Sequence, residues 1–196
     1  MNINQQELLR QLKNGDEKAF RLCYDLYVTK VYNTALIYLR NVNDAEDVTQ
    51  ETFIDAFKSI HQFKEDAALS TWLYRITINK CHDFSAHKKR KKRFAFVTQL
   101  FKTSNAAEPI IHPTNFEHPG ILMEQKEMSK ILFAAIEKLP ENQKAAFILS
   151  KIEGQSQKEI SAILQLHEKA VESLLQRAKN NLRTLLANYY NENFKK

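Results

Sequence analysis

The sequence predicts an all-α protein: two helical domains joined by a flexible linker, the second carrying a helix-turn-helix. Three observations point there. Only three glycines and four prolines occur in 196 residues, so long stretches run without a helix breaker. Three of those prolines, Pro109, Pro113 and Pro119, fall in one polar stretch that divides the chain. On either side of it, apolar residues recur at helical spacing.

The elements follow in order. Gln5 to Asn14 places Leu8, Leu9 and Leu12 on one side of a short helix; Gly15 ends it and Asp16 can cap the next. Phe20, Cys23, Tyr24, Tyr27, Val31, Ala35, Leu36 and Leu39 then form a core-facing stripe. Asn41 to Asp44 breaks the pattern. Asp44 as N-cap, with Asp47 at N3, opens a helix that buries Phe53, Phe57 and Ile60. Its exposed side gathers Asp44, Glu46, Asp47, Gln50, Glu51 and Asp55. That pattern fits a solvated acidic face or a docking face for a basic partner helix.

His61 to Ala68 reads as a loop, and Ser70 or Thr71 can cap the helix that follows. TWLYRITI looks strand-like in isolation. Yet Leu69, Leu73, Ile76 and Lys80 share one helical face, and Tyr74, Ile78 and Cys81 a second, with no glycine or proline before Arg93. A helix over this stretch puts Trp72, Asn79 and Asp83 near one side. It ends in six consecutive cations, Lys88, Lys89, Arg90, Lys91, Lys92 and Arg93. The chain has 29 basic and 23 acidic residues; without this run the two signs balance. The basic character is therefore local and suits a polyanion. The aromatic residues just upstream add surfaces on which exposed bases stack.

Residues 94–121 read as the linker, although Phe94, Phe96, Leu100, Phe101 and Phe116 give it more apolar surface than a tether needs. The first part can extend the preceding helix. Ile121 to Leu139 is helical again, and Pro140 sits at the first turn of a helix reaching toward Gly154. Ser156 and Glu159 make a capping box, S-x-x-E. A three-residue break, Gln165 to His167, precedes a long helix striped by Val171, Leu174, Leu175, Ala178, Leu182, Leu185 and Leu186. This is the helix-turn-helix plan, whose longer helix offers its exposed N-terminal side chains to a major groove. A plain helical hairpin fits the same periodicity.

Several classes recede. Cys23 and Cys81 are far apart without CxxC, so neither a disulfide framework nor a zinc knuckle is suggested. No secretory h-region or run of membrane length is present, so a cytoplasmic location without membrane contact is expected. Asp44, Glu46, Asp47 and Glu51 with His61, His82 and Asp83 could in principle hold a metal. No HExxH, glycine-rich phosphate loop or nucleophile elbow accompanies them. No catalysis, cofactor, metal or small-molecule substrate is expected.

Three stretches, in order, resemble the sigma-70 family of bacterial RNA polymerase sigma factors, specifically its small extracytoplasmic-function (ECF) group. DAEDVTQETFIDAF, Asp44 to Phe57, is similar to the family's core-polymerase docking helix. STWLYRITINKCHDF with the basic run resembles its minus-ten and promoter-melting segment, Asn79 and Asp83 falling on the family's N-x-x-x-D. Leu139 to Arg183 resembles its minus-thirty-five domain. The resemblance implies domains at 4–93 and 122–188. Asp44, Glu46, Asp47, Gln50 and Glu51 would bind core polymerase. Phe63, Trp72, Tyr74, Arg75, Asn79, Lys80, Asp83 and Lys88 to Arg93 would bind and melt the minus-ten element. Ser156, Gln157, His167, Lys169, Glu172, Ser173, Gln176, Arg177 and Lys179 would read the minus-thirty-five duplex. The implied partners are core RNA polymerase and promoter DNA, with an anti-sigma factor a frequent further partner in the family.

Some positions depart from the commonest family pattern. Gln165 and His167 stand where glycine and serine are frequent, and Glu172 and Leu174 where lysine and arginine are. Glu172 would repel phosphates, although it could accept a hydrogen bond from a cytosine amino group. The rival reading is a helix-turn-helix regulator that acts without replacing the housekeeping sigma factor. It explains the C-terminal half but neither the acidic helix nor the six cations.

Overall fold

The computed structural model describes residues 5–65, 67–101 and 126–194, with side chains described for 5–65, 67–91 and 129–187. These residues form eight α-helices: α1 (Gln5–Lys13), α2 (Glu17–Leu39), α3 (Val42–Ser59), α4 (Leu69–Phe101), α5 (Lys126–Glu137), α6 (Glu141–Lys151), α7 (Gln157–Leu164) and α8 (Glu168–Phe194). A single 3₁₀ turn, Ile60–Gln62, follows α3. No strand occurs among the described residues, and among them no helix is long and apolar enough to cross a membrane.

Helix ends follow local chemistry. The Asp16 carboxylate accepts from the amides of Lys18 and Ala19 at 2.8 and 3.0 Å, satisfying two of the donors that open α2. α2 stops at Arg40, which adopts a left-handed φ of 54°. The N-cap of α3 is Asn41, not Asp44: the Asn41 side chain accepts from the Asp44 amide at 2.9 Å. The helix thus starts one turn earlier than expected, and Asp44 sits in its first turn. α4 likewise begins at Leu69, so Ser70 and Thr71 lie inside it rather than capping it. It runs to Phe101, so the first part of the stretch read as linker extends it, as expected. Pro140 precedes α6 as its N-cap residue. The Ser156–Glu159 capping box is complete, and Gln165 ends α7 at a φ of 55°. The expected linker residues from 102 onward, Phe116 among them, lie outside the described residues, as do residues 122–125 of the second domain.

Two cores hold the helices together. One joins α1 to the first half of α2, the second half of α3 with the turn after it, and the start of α4, through Leu8, Leu12, Cys23, Phe53, Ile60, Phe63 and Leu73. The other is continuous across both halves of the chain. Leu36, Ile37 and Tyr38 of α2, Val48 of α3, and Tyr74, Ile78 and Cys81 of α4 pack in it with Ile136, Ile148, Leu149, Ile160, Ile163 and Val171. Both cysteines are free and buried. Burial pushes the Cys23 thiol up to about 11 and raises that of Cys81 further, so neither offers a reactive thiolate at neutral pH.

Candidate nucleic-acid interface

α3 divides into a buried and an exposed side. Ala45, Val48, Thr49, Thr52, Phe53 and Ala56 face inward. Glu46, Asp47, Gln50, Glu51 and Ile54 are exposed and fall on neighbouring turns, with Asp44 half-buried at their start. The acidic face is therefore available over two turns. It is not wholly unpaired. Lys80 of α4 reaches Glu51 at 3.3 Å and Asp55 at 2.6 Å, and these carboxylates, Asp55 first, raise the pKa of its ammonium. Lys88 reaches Asp44 at 2.7 Å. Asp47, Glu46 and Gln50 stand clear of these pairs.

α4 presents three faces. Leu73, Thr77 and Lys80 turn toward α3, with the Thr77 hydroxyl donating to the Leu73 carbonyl at 2.8 Å. Asn79, Asp83, His87 and Arg90 are exposed at successive helical turns, one open stripe that leads into the cations Lys88 to Lys91. The side chains of Lys92 and Arg93 lie outside the described residues. The third face, Tyr74, Ile78, Cys81 and His82, is turned to the C-terminal half. Phe63 is 5% exposed and packs on Trp72 with ring centroids 5.3 Å apart. Phe63 therefore anchors the start of α4, while Trp72 stays partly open.

The arrangement does not bring all the expected minus-ten residues to one surface. Tyr74 is 4% exposed, and its hydroxyl donates to Glu153 Oε2 at 2.7 Å. Burial and that carboxylate together raise its pKa. Arg75 Nε donates to the Ala162 carbonyl at 3.0 Å, at the end of α7 where helix carbonyls lack helical partners and a cation suits the dipole. In this packing both side chains are taken by the C-terminal half.

The helix-turn-helix expectation is met by α7, the three-residue turn Gln165–His167, and α8. Ser156, Gln157, His167, Lys169, Glu172, Ser173, Gln176, Arg177 and Lys179 are all exposed. Val171, Ala178 and Leu182 face the core opposite them. Glu172 is exposed on the same stretch of α8 as Lys169, Gln176 and Arg177.

Four contributors escaped sequence reasoning. Lys144 is 8% exposed; its ammonium donates to the Tyr38 carbonyl at 2.9 Å and lies 4.2 Å above the Tyr38 ring. Its sequence signal was its position four residues before the buried Ile148. Glu153 Oε1 accepts from the Thr34 hydroxyl at 2.8 Å, which shares its proton with the Lys30 carbonyl at 2.8 Å. His87 joins the Asn79 and Asp83 stripe, and its spacing, four residues beyond Asp83, was the signal available in the sequence. Glu153 and Thr34 had no sequence signal, because turn residues and helix hydroxyls are common everywhere.

Comparison with known proteins matches this layout. The family model for sigma-70 region 2 matches residues 23–93, and that for sigma-70 region 4 matches residues 129–182. The ECF RNA polymerase sigma-E factor of Salmonella typhimurium is 33% identical over 181 residues, covering 90% of this chain and 91% of its own. The sigma factor RpoE of Bartonella quintana, solved with the anti-sigma factor NepR, aligns with a TM-score of 0.62 and 25% identity over 87% of this chain and 98% of that one. CnrH, solved with the cytosolic domain of CnrY, shares the fold, with a TM-score of 0.66 at 23% identity over 93% of this chain and 97% of that one. The chain belongs to the sigma-70 family of RNA polymerase sigma factors. Within that family it is of the ECF type, a non-enzymatic factor that directs promoter recognition by RNA polymerase.

Proposed function

We propose that the three exposed surfaces divide the work of initiation. Asp44, Glu46, Asp47, Gln50 and Glu51 on α3 dock core polymerase. Asn79, Asp83 and the cations that follow them on α4, with Trp72 and Lys80, capture and melt the minus-ten element, whereas Phe63 and Tyr74 are buried and Arg75 is held on α7. The face of α7 and α8 from Ser156 to Lys179 reads the minus-thirty-five duplex. The observation that carries this is the segregation of charge: an acidic stripe on α3 and a basic-ended polar stripe on α4, each exposed on its own helix. An acidic stripe attracts a basic protein helix and repels phosphate, whereas the cationic end of α4 does the reverse. Bases drawn from the duplex cost a few kcal/mol to unstack, which the Trp72 ring and the polar stripe would offset.

Partner and location follow the same reading. Two structural relatives are solved with anti-sigma factors or a partner's cytosolic domain, which supports a protein inhibitor for this chain as well. Action on core polymerase supports a cytoplasmic location. The test is transcription in vitro with bacterial core polymerase on fragmented genomic DNA from the same source. Discrete start sites that require the chain are expected. Co-elution with core but no transcripts would leave the docking assignment and remove the promoter-reading one; neither would remove both.

A further inference from the structure

The first helix stands outside the division of work set out above. α1 ends at Lys13, before residue 23, where the match to sigma-70 region 2 begins. None of its side chains belongs to the docking or DNA-reading sets. It is nonetheless tied to the approach to α4. Leu8, Leu9 and Leu12 are buried in the core that contains Ile60, Phe63 and Leu73, and Trp72 packs against that core while remaining partly open. At the last turn of α1, Lys13 Nζ donates to Glu65 Oε1 at 2.6 Å, a contact between residues 52 positions apart.

Glu65 holds an uncommon backbone conformation. Its φ is 61°, in the left-handed region that residues with a Cβ seldom enter. Among the described residues two other non-glycine positions share it, Arg40 and Gln165, and each ends a helix, where that conformation closes the last turn. Glu65 ends none. It lies between the 3₁₀ turn that stops at Gln62 and Leu69, where α4 begins. A cation at the end of α1 also suits the helix dipole, which accounts for Lys13 without accounting for Glu65. Just before Glu65, the buried Phe63 ring meets Trp72. Trp72 in turn heads the face of α4 that continues through Asn79, Asp83 and Arg90. The path of residues 63–65 therefore decides how the indole stands at the head of that face.

We propose that α1 is a brace for base capture: Lys13, through Glu65, fixes residues 63–65 and with them the Trp72 ring on which an unpaired minus-ten base stacks. Lys13 and Glu65 are positioning residues and act through Phe63 and Trp72. The proposal rests on the minus-ten role given above for Trp72. The pair is exposed enough to add little to global stability, so its effect falls on local order beside the indole.

The test uses the full chain as Lys13→Met, as Glu65→Gln, and with the charges exchanged, Lys13→Glu with Glu65→Lys. Fluorescence anisotropy reads holoenzyme binding to a labelled single-stranded oligonucleotide bearing the minus-ten sequence of a promoter that the wild type transcribes. Amide hydrogen exchange reads residues 63–65 in the free chain. Each single variant should bind the oligonucleotide about tenfold more weakly, the loss expected when the positioned state falls to about one-tenth of the ensemble. Each should also exchange faster at residues 63–65 and co-elute with core polymerase as the wild type does. The exchanged pair should recover most of both losses. A role for Lys13 at the helix dipole alone would not produce that recovery, since an acid is unfavourable there. Glu65→Gln decides the matter if Lys13→Met loses helical circular dichroism. Wild-type binding and exchange in Glu65→Gln, or no recovery in the exchanged pair, would overturn the brace. If the wild-type holoenzyme does not hold its own oligonucleotide, the minus-ten role of Trp72 fails instead, and exchange at residues 63–65 still decides whether Lys13 fixes them.

Discussion

Lys144 sits where a charge is costly. Burial draws its pKa down, against an upward pull from Glu137, and the Tyr38 carbonyl and ring retain the ammonium. Beside it the Tyr38 hydroxyl and His82 Nε2 are buried without a hydrogen-bond partner among the described residues. Such atoms each cost about 1–3 kcal/mol, so the seam between the halves is held together less firmly than an apolar core of equal area. His82 makes the seam sensitive to acid. Burial lowers its pKa; Asp83 of its own helix and Glu141 of α6 oppose this, while Lys89 and Lys144 reinforce it. The imidazole thus binds a proton less readily in the packed chain than in the unfolded one. Stability from this group is complete above its unfolded pKa near 6.5 and falls as pH drops below that value toward the lowered one. Urea midpoints should fall between pH 7 and about 5, and His82→Gln should flatten that fall. An unaltered slope in the variant would assign the pH dependence to other groups.

At the scale of the element, α4 carries the run of cations and α7 a complete capping box. Neutralising Lys88 to Arg93 should weaken promoter complexes and reduce the slope of log affinity against log salt by up to about 0.9 for each phosphate no longer neutralised. A slope equal to wild type would detach the run from DNA. Ser156→Ala removes the hydroxyl of the α7 capping box, which accepts from the Glu159 amide at 3.3 Å and donates to Glu159 Oε2 at 2.7 Å. It should cost about 1 kcal/mol, read as a lower thermal midpoint. Helical periodicity identified both elements, even where TWLYRITI favoured a strand locally, because tertiary packing and uninterrupted spacing outweigh β propensity. Their ends were harder to see. Asn41 and Asp44 are both good caps, and only the position of the first turn chooses between them. The six cations resembled a terminus, yet nothing there breaks a helix, and α4 continues to Phe101.

For the molecule as a whole, reversing the acidic stripe with Asp47→Lys and Glu51→Lys should abolish co-elution with core polymerase and leave helical content unchanged. Asp47 and Glu51 are exposed, and the Glu51 contact with Lys80 is an exposed pair worth under about 1 kcal/mol. Retained co-elution would move docking elsewhere. The two halves and the surface each presents were legible in the chain, since stripes reveal which side of a helix is buried. What covers a stripe is not written in it. Tyr74, Ile78 and Cys81 read as an apolar face, but nothing in their spacing named α6 and α7 as the cover. The Glu153 contacts to Thr34 and Tyr74 join residues 119 and 79 positions away, which no local pattern records.

The chain contains one tryptophan, and Trp72 stands half-open against Phe63 at the start of α4. Its emission is therefore an optical signal from a single known place. Stacking of an unpaired base on the indole should quench it, so strand opening can be followed in real time on the unlabelled protein, with no dye to disturb the helix it watches.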